Sequence, residues 1–318
     1  MNREIARGIY LVELPMPATA MGGINCYLAP RPGRGLVVDS GLANQTCRDI
    51  LLVEMRALGM DPGRCDFLIT HHHADHLGLA ARLAGAESRI FIGEREKRLL
   101  DRGEFWRPAL ARGAEQGFTD RELREVDERY RQGYPVGLLE GLAVVTIAPG
   151  DKLELAGLSL DCLAAPGHSQ GELSFACREM GITFSGDHVL AELTPSVHTL
   201  VNGPDPLRQY LASLRDLANA PPLFWPGHGP AMPDGPARTV QLAARHQERL
   251  AEVRQHLAVC PLNAAELARR ITWRNPPGAG EQPLWMRWIA FGEADAYLVH
   301  LAGKGEAAPE GIGRYRLL

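Results

Sequence analysis

The segment Thr70-His71-His72-His73-Ala74-Asp75-His76-Leu77-Gly78 constrains this chain more than any other. It crowds histidines and a carboxylate into a turn between a strand-like run, residues 65–70, and a small-residue helix expected over 77–84. In an extended loop residues i and i+2 point the same way, so His71 and His73 can share one metal while His72 faces elsewhere. Where the chain bends into the helix, Asp75 and His76 can reach a second metal on the other side. A surface histidine cluster, or a helix cap formed by Asp75, is the bland alternative. Three further segments weigh against it. Pro166-Gly167-His168-Ser169, Ser185-Gly186-Asp187-His188 and Pro226-Gly227-His228-Gly229 each place a candidate ligand just after an expected strand, where glycine lets the backbone turn sharply. Separate loops at strand ends would thus converge on one mouth.

The rest of the chain is compatible with such a scaffold. Its 318 residues, 45% hydrophobic, allow one large domain and a small one. Lys plus Arg number 34 against 38 for Asp plus Glu, so no net positive field holds the chain on nucleic acid or an anionic membrane. The cysteines, Cys26, Cys47, Cys65, Cys162, Cys177 and Cys260, are scattered singly with no C-x-x-C pair, and read as reduced, mostly buried thiols. The mixed charge of residues 1–10 lacks the apolar run of a signal peptide, and no later stretch reaches the length of a membrane span. A cytoplasmic protein with no membrane contact is the expectation.

Strand-like runs at 8–14, 25–29 and 35–39 predict a meander, followed by a helix over 46–58. After a strand at 89–92, residues 94–139 turn charged and helical and read as an insertion. Within it Thr119 and Glu122 have the spacing of a capping box, ahead of Leu123, Val126 and Tyr130 at helical intervals. Strands are expected again at 142–147, 158–164, 172–177 and 181–185, then a helix over 206–218 and a strand at 223–226. Beyond His228 the pattern is helical: Asn263 with Glu266 signals another cap before Leu267, Ile271 and Trp273, a helix spans 284–301, and residues 303–318 suit a Gly-rich hairpin.

The order H-x-H-x-D-H, P-G-H, G-D and P-G-H-G resembles the signature of the metallo-β-lactamase superfamily, over about residues 8–235. The likeness is to its glyoxalase II-like and β-lactamase-like 2 branches. It implies an α/β fold, the αββα sandwich, with a helical insertion at 94–139 and a small, mainly helical C-terminal domain. The domains would be 1–235, catalytic, and 236–318, a winged-helix-like appendage. Carried over by residue, the resemblance implies two divalent ions, zinc by default with iron or manganese as alternatives. His71, His73 and His168 would hold the first, Asp75, His76 and His228 the second, and Asp187 would bridge both. Asp75 and Asp187 would also act in catalysis, Asp75 by orienting a metal-bridged hydroxide. His73 occupies a position where the flavin-partnered diiron oxidoreductases carry Glu, and a complete second set argues against the single-iron persulfide dioxygenases.

The implied activity is hydrolysis of a small thioester, ester or lactone. A nuclease or phosphodiesterase of the same fold is the alternative, though Arg287 against Glu293 and Asp295 makes no basic track. A metal-binding sensor without turnover is a third reading. The expected partner is a small-molecule substrate, not nucleic acid. The aromatic and apolar residues of the insertion, Phe105, Trp106, Leu110, Phe118, Leu123, Tyr130 and Tyr134, suit either a lid over the metal cleft or a packing or homodimer contact. His72 and His188 are expected beside the ligands as supporting or packing residues, Ser169 as a hydrogen-bonding neighbour, His198 at the cleft border, and His246, His256 and His300 away from metal.

Overall fold

Period-two burial in short apolar strands builds two facing sheets. A computed structural model describes residues 2–16, 22–135, 137–200, 203–273, 282–311 and 313–318. In the first sheet β1 (Arg3–Ala6), β2 (Ile9–Leu14), β3 (Ile24–Ala29), β4 (Leu36–Val38), β5 (Asp66–Ile69), β6 (Arg89–Gly93) and β7 (Val144–Ile147) lie in that order. Pairing is antiparallel from β1 to β4 and parallel from β4 to β7. The second sheet runs β12 (Leu223–Pro226), β11 (Ile182–Gly186), β10 (Leu173–Cys177), β9 (Leu158–Ala164), β8 (Lys152–Leu155), with β11 and β12 parallel and the rest antiparallel.

Because strand side chains alternate, each strand feeds two cores. Tyr27, Leu36, Val38, Leu68 and Phe91 meet Leu160, Phe175, Phe184 and Trp225 between the sheets. Their neighbours Cys26, Leu28, Val37, Phe67, Ile90 and Ile92 face outward, onto α1 (Gln45–Ala57). There Asn44 caps the helix by accepting the Cys47 amide, and Cys47, Leu51 and Met55 recur every four residues as its buried stripe. On the far side α7 (Pro206–Leu217), α8 (Gly235–Val259) and α10 (Leu284–Gly303) share one core with Phe224 of β12. The layers are therefore helix, sheet, sheet, helix.

Three expectations change in detail. The helix expected after the histidine loop is two single turns, α2 (Ala74–Leu77) and α3 (Ala80–Leu83), separated at Gly78 and Leu79. A Cβ on Gly78 would lie 2.3 Å from the Ala74 carbonyl oxygen and 2.8 Å from the Ala43 amide nitrogen, so the chain is pressed against the loop after β4. The apolar stripe at Leu267, Ile271 and Trp273 does not continue one helix, since α9 (Ala264–Ala268) stops before Ile271. Strands β1 and β8 have exposed, charged sequences that hide their period, and pairing with a neighbour is what makes them strands.

The insertion forms α4 (Glu94–Arg102), α5 (Arg107–Glu115) and α6 (Asp120–Gly133), with the Thr119–Glu122 capping box in place. Past α8, β13 (Leu262–Asn263) joins β14 (Ala307–Pro309) and β15 (Arg314–Leu317) in a three-stranded sheet. These late elements are tied to the insertion. The indole of Trp288 on α10 is fully buried, packs on Phe118 and Phe291 with centroids 5.2 and 5.4 Å away, and donates to the Tyr130 hydroxyl at 3.3 Å. Arg112 on α5 pairs with Asp295 on α10 at 3.0 Å. No described helix is long and apolar enough to cross a membrane.

Trp288→Ala is expected to cost about 3–5 kcal/mol and to expose the α5–α6 segment to limited proteolysis. Urea denaturation with a loss below about 1 kcal/mol would mean that this seam contributes little.

Candidate metal centre

Each candidate ligand leaves the C-terminal end of a strand or the turn beside it. Thr70 to His76 follow β5, His168 follows β9, Asp187 follows β11 and His228 follows β12. Backbone bonds clamp the two sheets where these loops meet. The Asn25 amide donates to the Gly227 carbonyl at 2.8 Å, and the Leu173 amide to that of Thr70 at 3.0 Å. The Asn25 side chain donates to the Pro226 and Gly229 carbonyls, at 2.9 and 2.8 Å. At Gly227 a Cβ would sit 2.5 Å from both Asp187 Oδ1 and His76 Cε1, so only glycine lets this loop close on the ligands.

The structure brings all seven sequence-selected ligands together, in groups that each have the spread a metal ion requires. His71, His73 and His168 form one triad; Asp75, His76 and His228 form another; Asp187 groups with His71 and His76 between them. His73 Nδ1 lies 2.9 Å from His71 Nε2 and 3.1 Å from His168 Nε2. His228 Nε2 lies 3.3 Å from Asp75 Oδ2, and His76 Nε2 is 3.9 Å from the same oxygen. Asp187 spans the pair: its Oδ2 is 3.8 Å from His168 Nε2 and 3.5 Å from His228 Nε2, while Oδ1 is 3.6 Å from His76 Nε2. Tetrahedral bonds of about 2.0–2.1 Å place donor atoms about 3.3 Å apart, and these separations bracket that value.

The remaining ring nitrogens fix the tautomers. His76 Nδ1 meets Asp39 Oδ2 at 2.8 Å, His168 Nδ1 meets the Ser196 carbonyl at 2.8 Å, and His228 Nδ1 meets the Gly23 carbonyl at 2.8 Å. An acceptor at Nδ1 holds the proton there and leaves the Nε2 lone pair directed into the centre. His71 Nδ1 lies 3.0 Å from the Thr70 hydroxyl, which donates in turn to Asp39. His76 Nε2, His228 Nε2 and Asp187 Oδ1 are buried with no hydrogen-bond partner. Buried polar atoms so placed are costly unless something else binds them, and a cation between imidazole and carboxylate donors satisfies that need.

Electrostatics divides the set in two. Burial, reinforced by the neighbouring imidazoles, holds His71 and His73 well below the ordinary histidine range, so both are free bases. Burial also lowers His168. At His76 and His228 burial acts in the same direction but is outweighed by carboxylates, chiefly Asp39 and Asp187 for His76 and Asp187 for His228, and both rise. Burial would raise Asp75 and Asp187; the imidazoles around them reverse this and keep both ionised.

The other selected residues surround this centre. His72 is buried, bonded by Nδ1 to Glu96 on α4, and touched by Phe105 and Tyr134 with centroids 5.3 and 5.6 Å away. Ser169 donates to Glu96, and His188 Nε2 meets the Ser213 hydroxyl at 2.9 Å. His198 is buried behind the site, its Cβ 2.9 Å from where a Gly292 side chain would start. His246 bonds the Tyr297 hydroxyl and His300 faces Asp205. The aromatic residues of the insertion split: Phe105 and Tyr134 reach His72, whereas Trp106 and Tyr130 lie in the core shared with α10, where Leu110, Phe118 and Leu123 pack.

Sequence reasoning missed three buried carboxylates. Asp39, in the left-handed region at φ 52°, accepts the Thr70 amide and hydroxyl as well as His76. Glu96 accepts the His72 and Gly171 amides, at 2.8 and 2.5 Å. Glu172 accepts the Asp187 and His188 amides at 2.9 and 3.0 Å, and burial, with Asp187 nearby, raises it well above the carboxylate range. Asp39 alone offered a signal, since it follows an apolar strand run, as the ligands do.

A metal-centre hydrolase fold is what these layers and loops define. The family model of the metallo-beta-lactamase superfamily matches residues 20–228, and the chain belongs to that superfamily, whose members bind divalent metals. The chain is 23% identical over 228 residues to the atrochrysone carboxyl ACP thioesterase of Paecilomyces divaricatus, covering 71% of this chain and 57% of that protein. It therefore spans little more than half of that relative. It is 22% identical over 291 residues to the probable metallo-hydrolase YqjP of Bacillus subtilis, covering 83% and 84%. A metallo-beta-lactamase family protein of Thermus thermophilus superposes with a TM-score of 0.83 at 27% identity, covering 99% of this chain and 100% of that one. With its superfamily and these relatives, the chain is classed as a hydrolase.

Asp39→Asn keeps a side chain that tolerates the left-handed backbone but removes the charge behind His76. It is expected to weaken metal binding by about 10- to 100-fold, read by competition with a chromophoric chelator. Unchanged affinity would show that His76 needs no such support.

Proposed function

We propose that this protein hydrolyses a small thioester, ester or lactone, with thioesters preferred, at a dinuclear centre. His71, His73 and His168 would hold one ion and Asp75, His76 and His228 the other, with Asp187 placed between them. The observation that carries this reading is the pair of ligand triads joined by Asp187. Zinc suits this all-nitrogen-and-oxygen set, as do iron and manganese. When bound, two such ions would lower the pKa of water toward neutrality and polarise an acyl oxygen.

The chain's own residues supply orientation and enclosure. Asp75 retains 13% side-chain exposure where Asp187 has 3%, so Asp75 faces the opening and is the carboxylate able to orient an attacking water. Phe105 and Tyr134 are half-buried beside His72 and offer an apolar wall for an acyl group. The relative named as an acyl-carrier-protein thioesterase favours a thioester over the other acyl classes. Residues 236–318 are read as a winged-helix-like appendage whose α10 braces the insertion from behind, and the working compartment as cytoplasmic.

Protein loaded with Zn, Fe or Mn and given acyl-CoA, acyl-glutathione, lactone, phosphodiester and RNA substrates should turn over a thioester fastest and lose activity on chelation. Asp187→Ala should lower metal content and reduce the rate by at least about a hundredfold. Cleavage of phosphodiesters alone would transfer the assignment to the nucleases, and full metal loading with no turnover would favour a sensor. Phe105→Ala should flatten the dependence of kcat/KM on acyl length; an unchanged ranking would remove the insertion from the acyl pocket.

A further inference from the structure

Helix α4 carries two functions on two faces. Its inner face presents Glu96, which accepts from His72, Ser169 and Gly171 and so holds the two ligand loops. Its outer face presents Arg95, Arg98 and Arg102, spaced i, i+3 and i+7 and therefore on one side of the helix. These guanidinium groups line a solvent-open cavity of about 250 Å³, with Leu99 beneath and Gln170, Gly203, Pro204 and Gln209 opposite. Gln170 is two residues beyond His168. A Cβ at Gly203 would lie 3.0 Å from Gln170 Nε2, so glycine leaves that amide clear.

The charge of the cavity departs from that of the chain, which is −4 overall. Among the described residues, no acidic residue lines it. Of the carboxylates on α4, Glu94 pairs with Arg98 at 2.6 Å, Asp101 is taken by Lys97 and Glu96 is buried inward. Arg95 and Arg102 have no acidic partner among the described residues. The guanidinium groups of Arg95 and Arg102, with Arg98 between them and glutamine amides opposite, suit an oxyanion bearing several acceptor oxygens, a phosphate or pyrophosphate rather than a single carboxylate.

The geometry points to this cavity as an anion subsite that holds the phosphate or pyrophosphate of the thiol carrier from which the acyl group is released. This rests on the thioesterase reading above and names the leaving half of the substrate. Because α4 fixes the loops of His72 and His168 with one face and lines the cavity with the other, an anchored phosphate lies on the same rigid element as the ligand loops. Remote binding of this kind raises discrimination between carriers.

The test combines direct binding with turnover. Titration calorimetry of the metal-loaded, 318-residue protein should detect pyrophosphate and free coenzyme A. The triple variant Arg95→Gln, Arg98→Gln, Arg102→Gln should lose about tenfold or more in affinity for both, and Arg102→Gln alone should lose less in the same direction. The ratio of KM for an acyl-CoA to KM for the matching N-acetylcysteamine thioester, which lacks phosphate, should rise about tenfold in the triple variant. Equal coenzyme A binding by both proteins would overturn the inference. So would loss of pyrophosphate binding with an unchanged KM ratio, which would mark a free-phosphate site. Loss of single-stranded RNA binding with coenzyme A binding intact would overturn it in favour of nucleic acid. If no thioester is hydrolysed but the triple variant still loses coenzyme A, the proposed activity fails while the anion subsite stands.

Discussion

Burying five imidazoles and two carboxylates in one small volume is the constraint that the rest of this structure answers. Each group loses its water, and like groups face one another at van der Waals range. The fold meets the cost from behind, by giving the far nitrogens of His71, His76, His168 and His228 a fixed partner and each supporting carboxylate several donors. Asp39 shows the economy of the arrangement. One carboxylate at the end of β4 receives the Thr70 amide and hydroxyl from the end of β5 and the His76 ring from α2. The parallel pairing of β4 with β5 is what sets that carboxylate beside both, so sheet topology and ligand orientation are one problem.

Glu96 and Glu172 extend the same logic across the sheets. Glu96 ties the insertion to the loops of His72 and His168, while Glu172, at the start of β10, collects the amides that follow β11. The insertion is in turn clamped by α10 through Trp288, through Arg112 with Asp295, and through Arg287 with Glu122. Helices distant in sequence therefore hold Phe105 and Tyr134 in place beside His72. Contacts at both its α4 and α6 ends tie the insertion to the ligand loops and to α10.

The candidate ligands were legible as a cluster because each sits in a local pattern, a short apolar run that ends in glycine or a histidine pair, and the sandwich was legible through the family resemblance those patterns carried. The supporting carboxylates were not. Asp39, Glu96 and Glu172 act on partners such as Thr70, His72 and Asp187 in other elements; Asp39 at least follows an apolar strand run, but nothing in the few residues around Glu96 and Glu172 distinguishes them from solvated acids. Periodicity also failed where tertiary contact decides. The helix expected over 77–84 breaks because Gly78 is pressed on the loop after β4, and the exposed strands β1 and β8 exist only by pairing. The aromatic residues of the insertion were visible as apolar surface, but which would face the cleft and which the C-terminal helices depended on α10, far along the chain.

The two triads differ in a way that bears on chemistry. His71, His73 and His168 form an all-imidazole set, and burial with mutual repulsion keeps His71 and His73 neutral, so that triad presents lone pairs already free of protons. The second set mixes His76 and His228 with Asp75 and lies against Asp187, and the negative charge of these carboxylates, with Asp39 added at His76, draws protons onto both imidazoles. A cation entering the second triad must displace those protons, whereas one entering the first meets little competition from them. Among the candidate ligands Asp75 and Asp187 are the anionic donors, so two divalent ions, if both sets were filled as proposed, would be incompletely neutralised. On the proposed thioesterase reading, the excess positive charge would lie where an acyl oxygen and a leaving thiolate gain negative charge in the transition state, which is the condition under which electrostatic stabilisation is largest.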